Sequence, residues 1–273
     1  MPQPVIKWSG SKRKLARFIV PNIPTTGTYF EPFIGGGSIL GAIGPRKSYA
    51  GDVISELVGL WDAIKNFPDT LASAYSRHWN GLQDQGPTYY YKVRDDFNKK
   101  RNPADLLFLS RTCVNGLIRF NSAGEFNNSL HHTRPGIHPD TLRDIIHEWS
   151  GIVRKTTFLA TDYKKLLSKA QEGDIAYLDP PYMGNKGRYQ KLTFDFDSLW
   201  ETLDLLNHRK VLWILSLDGK SGDRNYSKTL SEPLKLSKKS FLLDGESSAF
   251  PRLLNKRLDR VKESLFMNFG GET

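Results

Sequence analysis

The stretch Asp179-Pro180-Pro181-Tyr182 holds the residue types that best suit chemistry. It follows the apolar run 175–178, which is typical of a strand buried on both faces, and the two prolines remove backbone donors, so the strand must end there. A carboxylate, donor-free carbonyls and an aromatic ring would then lie at the carboxyl edge of a sheet, where open α/β sheets bind ligands. Such a group could hold a planar NH₂ substrate. The alternative is a plain strand end, with Asp179 bonded locally and Tyr182 packed on the core.

Three successive glycines mark a second candidate site. Residues 28–32 predict a strand, and Gly35, Gly36 and Gly37 follow it just before an apolar helix start. Backbone that approaches another group closely is expected there, at the first strand-to-helix turn of a Rossmann-like unit. The segment is neither the Gly-x-Gly-x-x-Gly fingerprint of dinucleotide-binding proteins nor a phosphate-binding P-loop.

Two further acids follow predicted strands. Asp52 comes after a strand near 47–50, and its distance from the glycines is close to the roughly 20 residues that separate such a turn from an acid holding ribose hydroxyls. Capping of the helix predicted at 54–64 is the alternative role. Asp162, followed by Tyr163, ends a strand predicted at 157–160. Acids at several strand ends favour a ligand site along one sheet edge.

The amino-terminal segment combines an aromatic ring with a basic turn. Trp8 precedes a polar turn in which Ser9 or Ser11 could cap a helix predicted at 12–19. Lys12 beside a helix N-terminus suits an anionic or carboxylate-bearing ligand, and a solvated basic turn is the alternative.

Residues 66–150 differ in character from their flanks. Aromatic and basic residues are mixed there with mostly helical periodicity, which predicts a subdomain inserted between the units 1–65 and 151–273. Residues 111–127 predict a loop or hairpin whose side chains suit nucleic acid, since Asn and Arg can bind base edges and aromatic rings can stack on bases. Polar loop residues and core aromatics are the alternative. The candidate contacts are Asn115, Arg119, Asn121, Phe126 and Asn127, with Lys186 and Arg188 in a later basic loop.

Composition narrows the class of protein. The chain has 273 residues, and Lys+Arg 39 against Asp+Glu 29 gives a pI near 9.5, which favours a polyanionic partner. The single Cys113 allows no internal disulfide, and His131, His132 and His138 lack partners at metal-ligand spacing, so no metal is expected. No apolar stretch is long enough to span a membrane, and residues 1–15 lack a signal peptide's apolar core. We therefore expect an intracellular, cytoplasmic protein.

Together, these motifs resemble in content and order the Dam-like D12 class (alpha group) of DNA adenine-N6 methyltransferases. The segments that carry the resemblance are 7–12, 31–38, Asp52, 115–121 with 124–127, and 179–182, and the likeness extends from about residue 6 to 216. It implies a Rossmann-like S-adenosylmethionine-dependent methyltransferase fold, α/β with a mainly parallel sheet and a reversed last strand, and a helical DNA-recognition insertion with a β-hairpin.

The resemblance also implies roles for single residues. Trp8 and Lys12 would lie beside the cofactor's methionine part, Phe33 to Gly37 would form the cofactor turn, and Asp52 would hold the ribose. Asp162 and Tyr163 would lie near the cofactor's adenine. Asp179 would adjoin the cofactor and, with Pro180, Pro181 and Tyr182, receive a target adenine flipped out of duplex DNA.

The chemistry agrees with these residue types. An exocyclic adenine amine is a poor nucleophile because its lone pair is delocalised into the ring. Accepting its two N–H bonds with the Asp179 carboxylate and the Pro180 carbonyl would free that lone pair, while Tyr182 stacks on the base. The methyl group would then transfer in line from a reactive sulfonium, so the protein's task is positioning and electrostatics.

Some positions depart from the family's usual pattern. Ser11 stands where a second glycine is usual, and residues 128–130 and 217–219 also differ, so we predict no target sequence. The resemblance leaves open whether a restriction-modification system with a cognate restriction endonuclease surrounds the enzyme. Three alternatives remain: an RNA or protein amide N-methyltransferase with the same cofactor core, a catalytically silent DNA-binding homologue, and a nicotinamide dehydrogenase, which the missing fingerprint disfavours.

Overall fold

The structure of the chain is a computed structural model. It describes residues 1–8, 10–131, 133, 135–181, 194–221, 224–225, 231–244 and 262–270.

One twisted sheet forms the centre of the molecule. Its strands are β1 (Tyr29–Glu31), β2 (Ser48–Asp52), β3 (Thr156–Ala160), β4 (Ile175–Leu178), β5 (Leu212–Ser221), β6 (Arg224–Asn225), β7 (Lys239–Asp244) and β8 (Lys262–Met267). The order is β3-β2-β1-β4-β5-β8-β7, with β6 paired to β5. The first five strands in this order, β3, β2, β1, β4 and β5, are mutually parallel, whereas β8 runs antiparallel to both β5 and β7. The predicted mainly parallel sheet with a reversed last strand is therefore confirmed.

Helices cover both faces of this sheet. They are α1 (Ala16–Ile19), α2 (Ser38–Ile43), α3 (Ser55–Asn66), α4 (Pro68–Gln85), α5 (Pro87–Lys100), α6 (Pro103–Thr112), α7 (Pro139–Val153), α8 (Tyr163–Leu167), α9 (Phe196–His208) and α10 (Ser231–Leu236). Short 3-10 turns occupy Lys12–Lys14, Val20–Asn22 and Val114–Gly116. Strand β4 is buried at all four positions, as expected for a parallel strand covered on both sides.

The helical segment α4 to α7 packs on α3, which in turn contacts β2 and β3. Helix α4 contacts α6 and α7, α5 contacts α4 and α6, and α7 also contacts α2 and α3. A single cluster of buried side chains runs from one sheet face into these helices, whereas α8 and α9 cover the other face with a separate cluster. The insertion boundaries at 66 and 150 remain a prediction.

Two local predictions differ from the structure. The helix expected at 12–19 is a 3-10 turn followed by the four-residue α1, and Ser11 makes no cap hydrogen bond because its hydroxyl pairs with that of Ser38 at 2.7 Å. Ser9 lies outside the described residues. Strand β7 was not predicted, because the successive apolar residues Phe241 and Leu242 give no alternation of apolar and polar positions, and both are partly exposed in the structure. The strand is formed by its pairing with β8.

Candidate active site

Four acidic residues lie at the carboxyl ends of neighbouring strands or just after them. Glu31 ends β1, Asp52 ends β2, Asp162 lies two residues after β3, and Asp179 comes directly after β4. These strands are adjacent and parallel, so their carboxyl ends share one edge of the sheet. The chain crosses from β3 at one side to β4 at the other, which makes the gap between β1 and β4 the topological switch point where ligands bind in such sheets.

The carboxylate of Asp179 is held by an ion pair and a hydrogen bond. The Nζ of Lys12, whose side chain is 5% exposed, lies 2.8 Å from Asp179 Oδ1. Ser216 on β5 donates its hydroxyl to the same oxygen at 3.1 Å, and the Tyr177 hydroxyl lies 3.0 Å from that of Ser216. Both of these contacts, made by residues that the structure describes, fall on the same carboxylate oxygen, Oδ1.

The prolines after Asp179 differ in exposure. Pro180 is buried and Pro181 is exposed, and neither has a backbone N–H. The predicted contacts Tyr182, Lys186 and Arg188 lie outside the described residues.

Two more carboxylates lie near Lys12 and Asp179. Glu263 on β8 approaches Lys12 Nζ at 3.8 Å. Glu31 is buried and accepts a hydrogen bond from the Tyr29 hydroxyl at 2.7 Å. Burial raises the pKa of Glu31 from 4.5 to about 8; the Tyr29 hydrogen bond lowers that pKa and the charge of Asp179 raises it further. Glu31 is therefore a neutral acid at pH 7.

The pKa of Glu31 predicts how stability depends on pH. Between pH 4.5 and about 8 the unfolded chain has lost this proton while the folded protein keeps it, so the free energy of unfolding falls as pH rises and levels off above that range. The Glu31→Gln variant keeps a neutral group of similar shape and lacks this loss. We expect the urea concentration at the unfolding midpoint of the variant to exceed that of the wild type by an amount that grows from about pH 5 to about pH 8. A constant difference between the two proteins across that range would contradict the prediction.

The glycine turn is shaped by two tryptophans. A Cβ atom at Gly35 would lie 2.6 Å from the Trp8 indole nitrogen, and one at Gly37 would lie 2.8 Å from the Trp61 ring. Gly35 and Gly37 also have φ values of 45° and 65°, which side chains disfavour. The close approach predicted from the glycines is thus made, in the described residues, by Trp8 from the amino-terminal segment and Trp61 from α3.

Asp52 is anchored to the glycine turn. Its carboxylate accepts the backbone N–H of Ile54 at 3.2 Å and that of Gly35 at 3.5 Å. Burial raises the pKa of Asp52 to about 6, although hydrogen bonds from the backbone at Ile54, Gly35 and Val53 lower it. Asp52 therefore joins the end of β2 to the first turn after β1.

Phe33 begins an aromatic cluster beside this turn. Its ring centroid lies 5.4 Å from that of Tyr163 and 5.8 Å from that of Phe194. Tyr163 is buried, whereas Asp162 is exposed and caps α8 by accepting the N–H of Lys164 at 2.8 Å. The predicted residues Phe33 and Tyr163 are brought together, and Asp162 lies at the rim.

Within the segment predicted as a loop or hairpin, residues 119–127 form a hairpin turn, which is called the recognition hairpin below after its predicted role. Phe120 and Phe126 form an antiparallel bridge, and the Asn121 side chain accepts the N–H groups of Ala123 and Glu125, both at 2.9 Å. The Arg119 side chain donates to Asn127 at 2.9 Å. The hairpin is therefore tightly structured.

The residues predicted to contact DNA in this region differ in how far their side chains are exposed to solvent. Asn115, Arg119 and Asn121 are exposed, and Asn115 adopts a left-handed φ of 57°. Phe126 is only 1% exposed and packs against the Phe97 ring, so its burial speaks against the predicted contact with a base.

A statistical model of a protein family, described as the D12 class N6 adenine-specific DNA methyltransferases, matches residues 8–237. The chain belongs to this family. The predicted family is therefore confirmed, and with it the predicted class of enzyme, an adenine-specific DNA methyltransferase.

Similar proteins carry related names. The Type II methyltransferase M1.LlaDCHI of Lactococcus lactis subsp. cremoris is 30% identical over 66% of this chain and 66% of its own length. The DNA adenine methylase of Escherichia coli (strain K12) is 27% identical over 65% of this chain and 64% of its own length. The DNA N-6-adenine-methyltransferase of Escherichia phage P1 is 30% identical over 65% of this chain but 24% of its own length. The matched stretch thus spans about two thirds or less of these relatives.

Among solved structures, the rRNA methyltransferase aviRa of Streptomyces viridochromogenes aligns with 93% of this D12-class chain and 83% of its own, with 16% identity and a TM-score of 0.38. At that TM-score the likeness carries no weight. None of the helices in the described ranges is long and apolar enough to cross a membrane. The described residues hold no group of three or more His, Cys, Asp or Glu side chains that could bind a metal.

The family implies the use of S-adenosylmethionine, and the donor set of this D12-class methyltransferase fits that cofactor. Asp52 offers a carboxylate that suits ribose hydroxyls, and the rings of Phe33 and Tyr163 suit an adenine. The buried acid Glu263 offers a partner for an ammonium group.

Several contributors to the site were not predicted from the sequence, among them Glu263 on β8 and Trp61 on α3. Glu31 belongs to a motif that carried the resemblance, but no role was given to it. Tyr177 lies two positions before Asp179, so its side chain was expected only to fill the core. Ser216 lies on β5, and only the pairing of β5 with β4 brings it to Asp179. A polar residue within each buried strand was the signal that could have identified Tyr177 and Ser216.

Proposed function

We propose that this chain transfers the methyl group of S-adenosylmethionine to the N6 amine of an adenine in duplex DNA, by flipping the base and transferring the methyl group directly and in line. The observation that carries the proposal is the arrangement around Asp179. Lys12 and Ser216 fix its Oδ1 at the topological switch point, with a proline carbonyl as the next acceptor along the chain.

The amine is activated by acceptors. Asp179 Oδ2 accepts one N–H of the target adenine and the Pro180 carbonyl accepts the other, which draws the nitrogen away from planarity and frees its lone pair. As positive charge develops on the nitrogen, the nearby carboxylate stabilises it, and one N–H proton then passes from the methylated nitrogen through this carboxylate to solvent, which restores a neutral amine. Lys12 and Ser216 keep the carboxylate from rotating, so little reorganisation is needed during the reaction.

The cofactor supplies, when bound, a methyl group on a positively charged sulfur that is reactive without further activation. Asp52 would hold its ribose, Trp8 and the glycine turn would line its methionine part, and Phe33, Asp162 and Tyr163 would lie near its adenine. Lys12 contributes to this pocket through Asp179, since its Nζ is committed to the carboxylate at 2.8 Å.

Duplex DNA is bound by the positively charged surface and the recognition hairpin. Asn115, Arg119 and Asn121 are exposed and can reach bases or phosphates. Flipping a base costs a few kcal/mol, which phosphate contacts offset. The partly exposed Phe120, rather than Phe126, is the hairpin aromatic able to stack on a base.

The proposal is tested with radiolabelled S-adenosylmethionine and three acceptors: duplex DNA, structured RNA and a protein mixture. We expect label in duplex DNA, recovered after digestion as N6-methyladenine. Label found only in cytosine, in RNA or in protein would contradict the proposal. A protein that binds duplex DNA but no cofactor would be a silent homologue.

Asp52 gives a prediction for cofactor binding. The ionised carboxylate is the better acceptor for ribose hydroxyls, so cofactor affinity should rise with pH through about 6 and then level off. The Asp52→Asn variant should bind cofactor about 10- to 150-fold more weakly and show no such rise, since one charge-assisted hydrogen bond contributes about 1.5–3 kcal/mol. Isothermal titration calorimetry between about pH 5 and pH 8 measures both effects.

The matched control is Asp62→Asn, which changes an exposed acid on α3. Its cofactor affinity should follow the wild-type pH curve. Equal weakening in both variants would show that Asp52 acts through general charge and not as a ribose ligand.

The biological setting follows from the substrate. An enzyme of duplex DNA would act where DNA lies, in agreement with the predicted cytoplasmic location. Two of the similar proteins are named Type II methyltransferases. A cognate restriction endonuclease is the partner that a restriction-modification system would add, and methylation mapping of genomic DNA from cells expressing the protein would identify the protected sequence.

A further inference from the structure

The recognition hairpin is held from outside by the asparagine side chain of Asn98 on α5. Asn98 Nδ2 donates to the Phe126 carbonyl at 3.1 Å, and the Phe126 N–H donates to Asn98 Oδ1 at 2.7 Å. One amide side chain thus satisfies both backbone groups of a hairpin residue, as a neighbouring strand would. Helix α5 therefore fixes one arm of the hairpin.

The turn of the hairpin is held by Arg101, directly after α5. Arg101 Nη2 donates to the Gly124 carbonyl at 2.7 Å, and Nη1 forms an ion pair with Glu56 in the first turn of α3 at 3.4 Å. The guanidinium carbon also lies 5.5 Å from the Phe97 ring centroid and 5.9 Å from that of Phe120. The planar guanidinium thus joins α3, α5 and the hairpin turn.

Arg101 occupies a backbone conformation that favours glycine. It ends α5 with φ 55° and ψ 36°, a left-handed conformation that costs most side chains about 1–2 kcal/mol. Glycine would end α5 at least as well as arginine does, because it adopts this conformation without strain. The contacts of the side chain account for an arginine at this position.

We propose that Arg101 is a positioning residue that fixes the turn of the recognition hairpin so that Arg119 and Asn121 are presented to duplex DNA. The inference rests on the proposed function, since it assigns the hairpin to that substrate. The guanidinium is engaged by a carboxylate, a carbonyl and two rings, so Arg101 acts through geometry and not as a phosphate contact.

The test uses the full chain with Arg101→Gly, which retains the backbone conformation and removes the side chain. We expect the Kd and KM for duplex DNA to rise about tenfold, because the hairpin must be ordered on binding, while kcat at saturating DNA changes less than about twofold. The slope of log Kd against log salt should stay at the wild-type value, because no phosphate contact is lost. Amide hydrogen exchange of Ala123 and Glu125 should accelerate.

Two further variants separate the shape of the Arg101 side chain from its charge. Arg101→Lys retains the charge without the planar fork and should recover little of the affinity. Recovery to the wild-type affinity in Arg101→Lys, or a salt slope lower by about one in Arg101→Gly, would overturn the proposal. Lys100→Ala removes one exposed charge from the same helix end and should lose less affinity than Arg101→Gly. An equal loss would assign the effect to charge alone. If the wild-type protein neither binds nor methylates duplex DNA, the proposed function fails instead.

Discussion

The Asp179→Asn variant is expected to fold, to bind S-adenosylmethionine nearly as well as the wild type, and to lose methyl transfer by about 10³-fold. The reason lies in the two donors on Oδ1. Lys12 and Ser216 both point hydrogens at the inner oxygen, so the amide must place its oxygen inward and its NH₂ group outward. The outer group would then offer a donor to the adenine amine where an acceptor is needed. Single-turnover transfer of labelled methyl to duplex DNA measures the loss.

Asp179→Ala provides the comparison for this variant. Alanine removes the acceptor altogether, and it leaves the buried ammonium of Lys12 without its closest carboxylate, so it should be inactive and less stable. The asparagine variant should match its loss of activity but keep a higher thermal midpoint than the alanine variant, because its amide oxygen still accepts a hydrogen bond from Lys12 Nζ. Asparagine activity within about tenfold of the wild type would show that the orientation imposed by Lys12 and Ser216 does not govern the reaction.

The second large effect is expected for Lys12→Met. Methionine keeps the apolar stem but loses the ammonium group that fixes Asp179 Oδ1, so kcat should fall about 10²-fold. Because Nζ is committed to Asp179, the Kd for S-adenosylmethionine should change much less than kcat. Calorimetry for the cofactor and steady-state kinetics for transfer separate the two parameters.

Lys14→Met is the matched control, since Lys14 lies in the same 3-10 turn and is exposed. Its kcat should stay within about twofold of the wild type. A Lys12→Met protein that keeps its kcat but loses cofactor affinity would assign Lys12 to the cofactor's methionine part, as the family resemblance implies, and not to the positioning of Asp179.

The pairing of the two variants tests whether Lys12 and Asp179 act as one unit. Residues that act through each other give effects that do not add. The double variant Lys12→Met with Asp179→Asn should therefore be no less active than Asp179→Asn alone. We expect this non-additivity because Lys12 is buried and its Nζ lies 2.8 Å from Asp179 Oδ1.

Much of the fold could be predicted from local sequence. The apolar run 175–178 ends at two prolines that cannot donate to a ladder, and β4 does end at Leu178. The spacing between the glycines and Asp52 placed an acid at the end of β2, where it is found. These features depend on residues near one another in sequence. The same reasoning missed β7, because its exposed apolar residues give no alternation and its pairing partner is distant in the chain.

The sequence by itself determined the strand ends, the order of the motifs and hence the family, because each of these is written in a short run of residues. Only the tertiary structure decided which groups meet. The parallel pairing of β4 with β5 brings Ser216 to Asp179, 37 residues apart, and the amino-terminal turn brings Lys12 to the same carboxylate. The packing of Phe126 in the core and the hold of Arg101 on the recognition hairpin were likewise decided there. The physical reason is that contacts between distant segments depend on sheet order and helix packing, which local residue patterns do not specify.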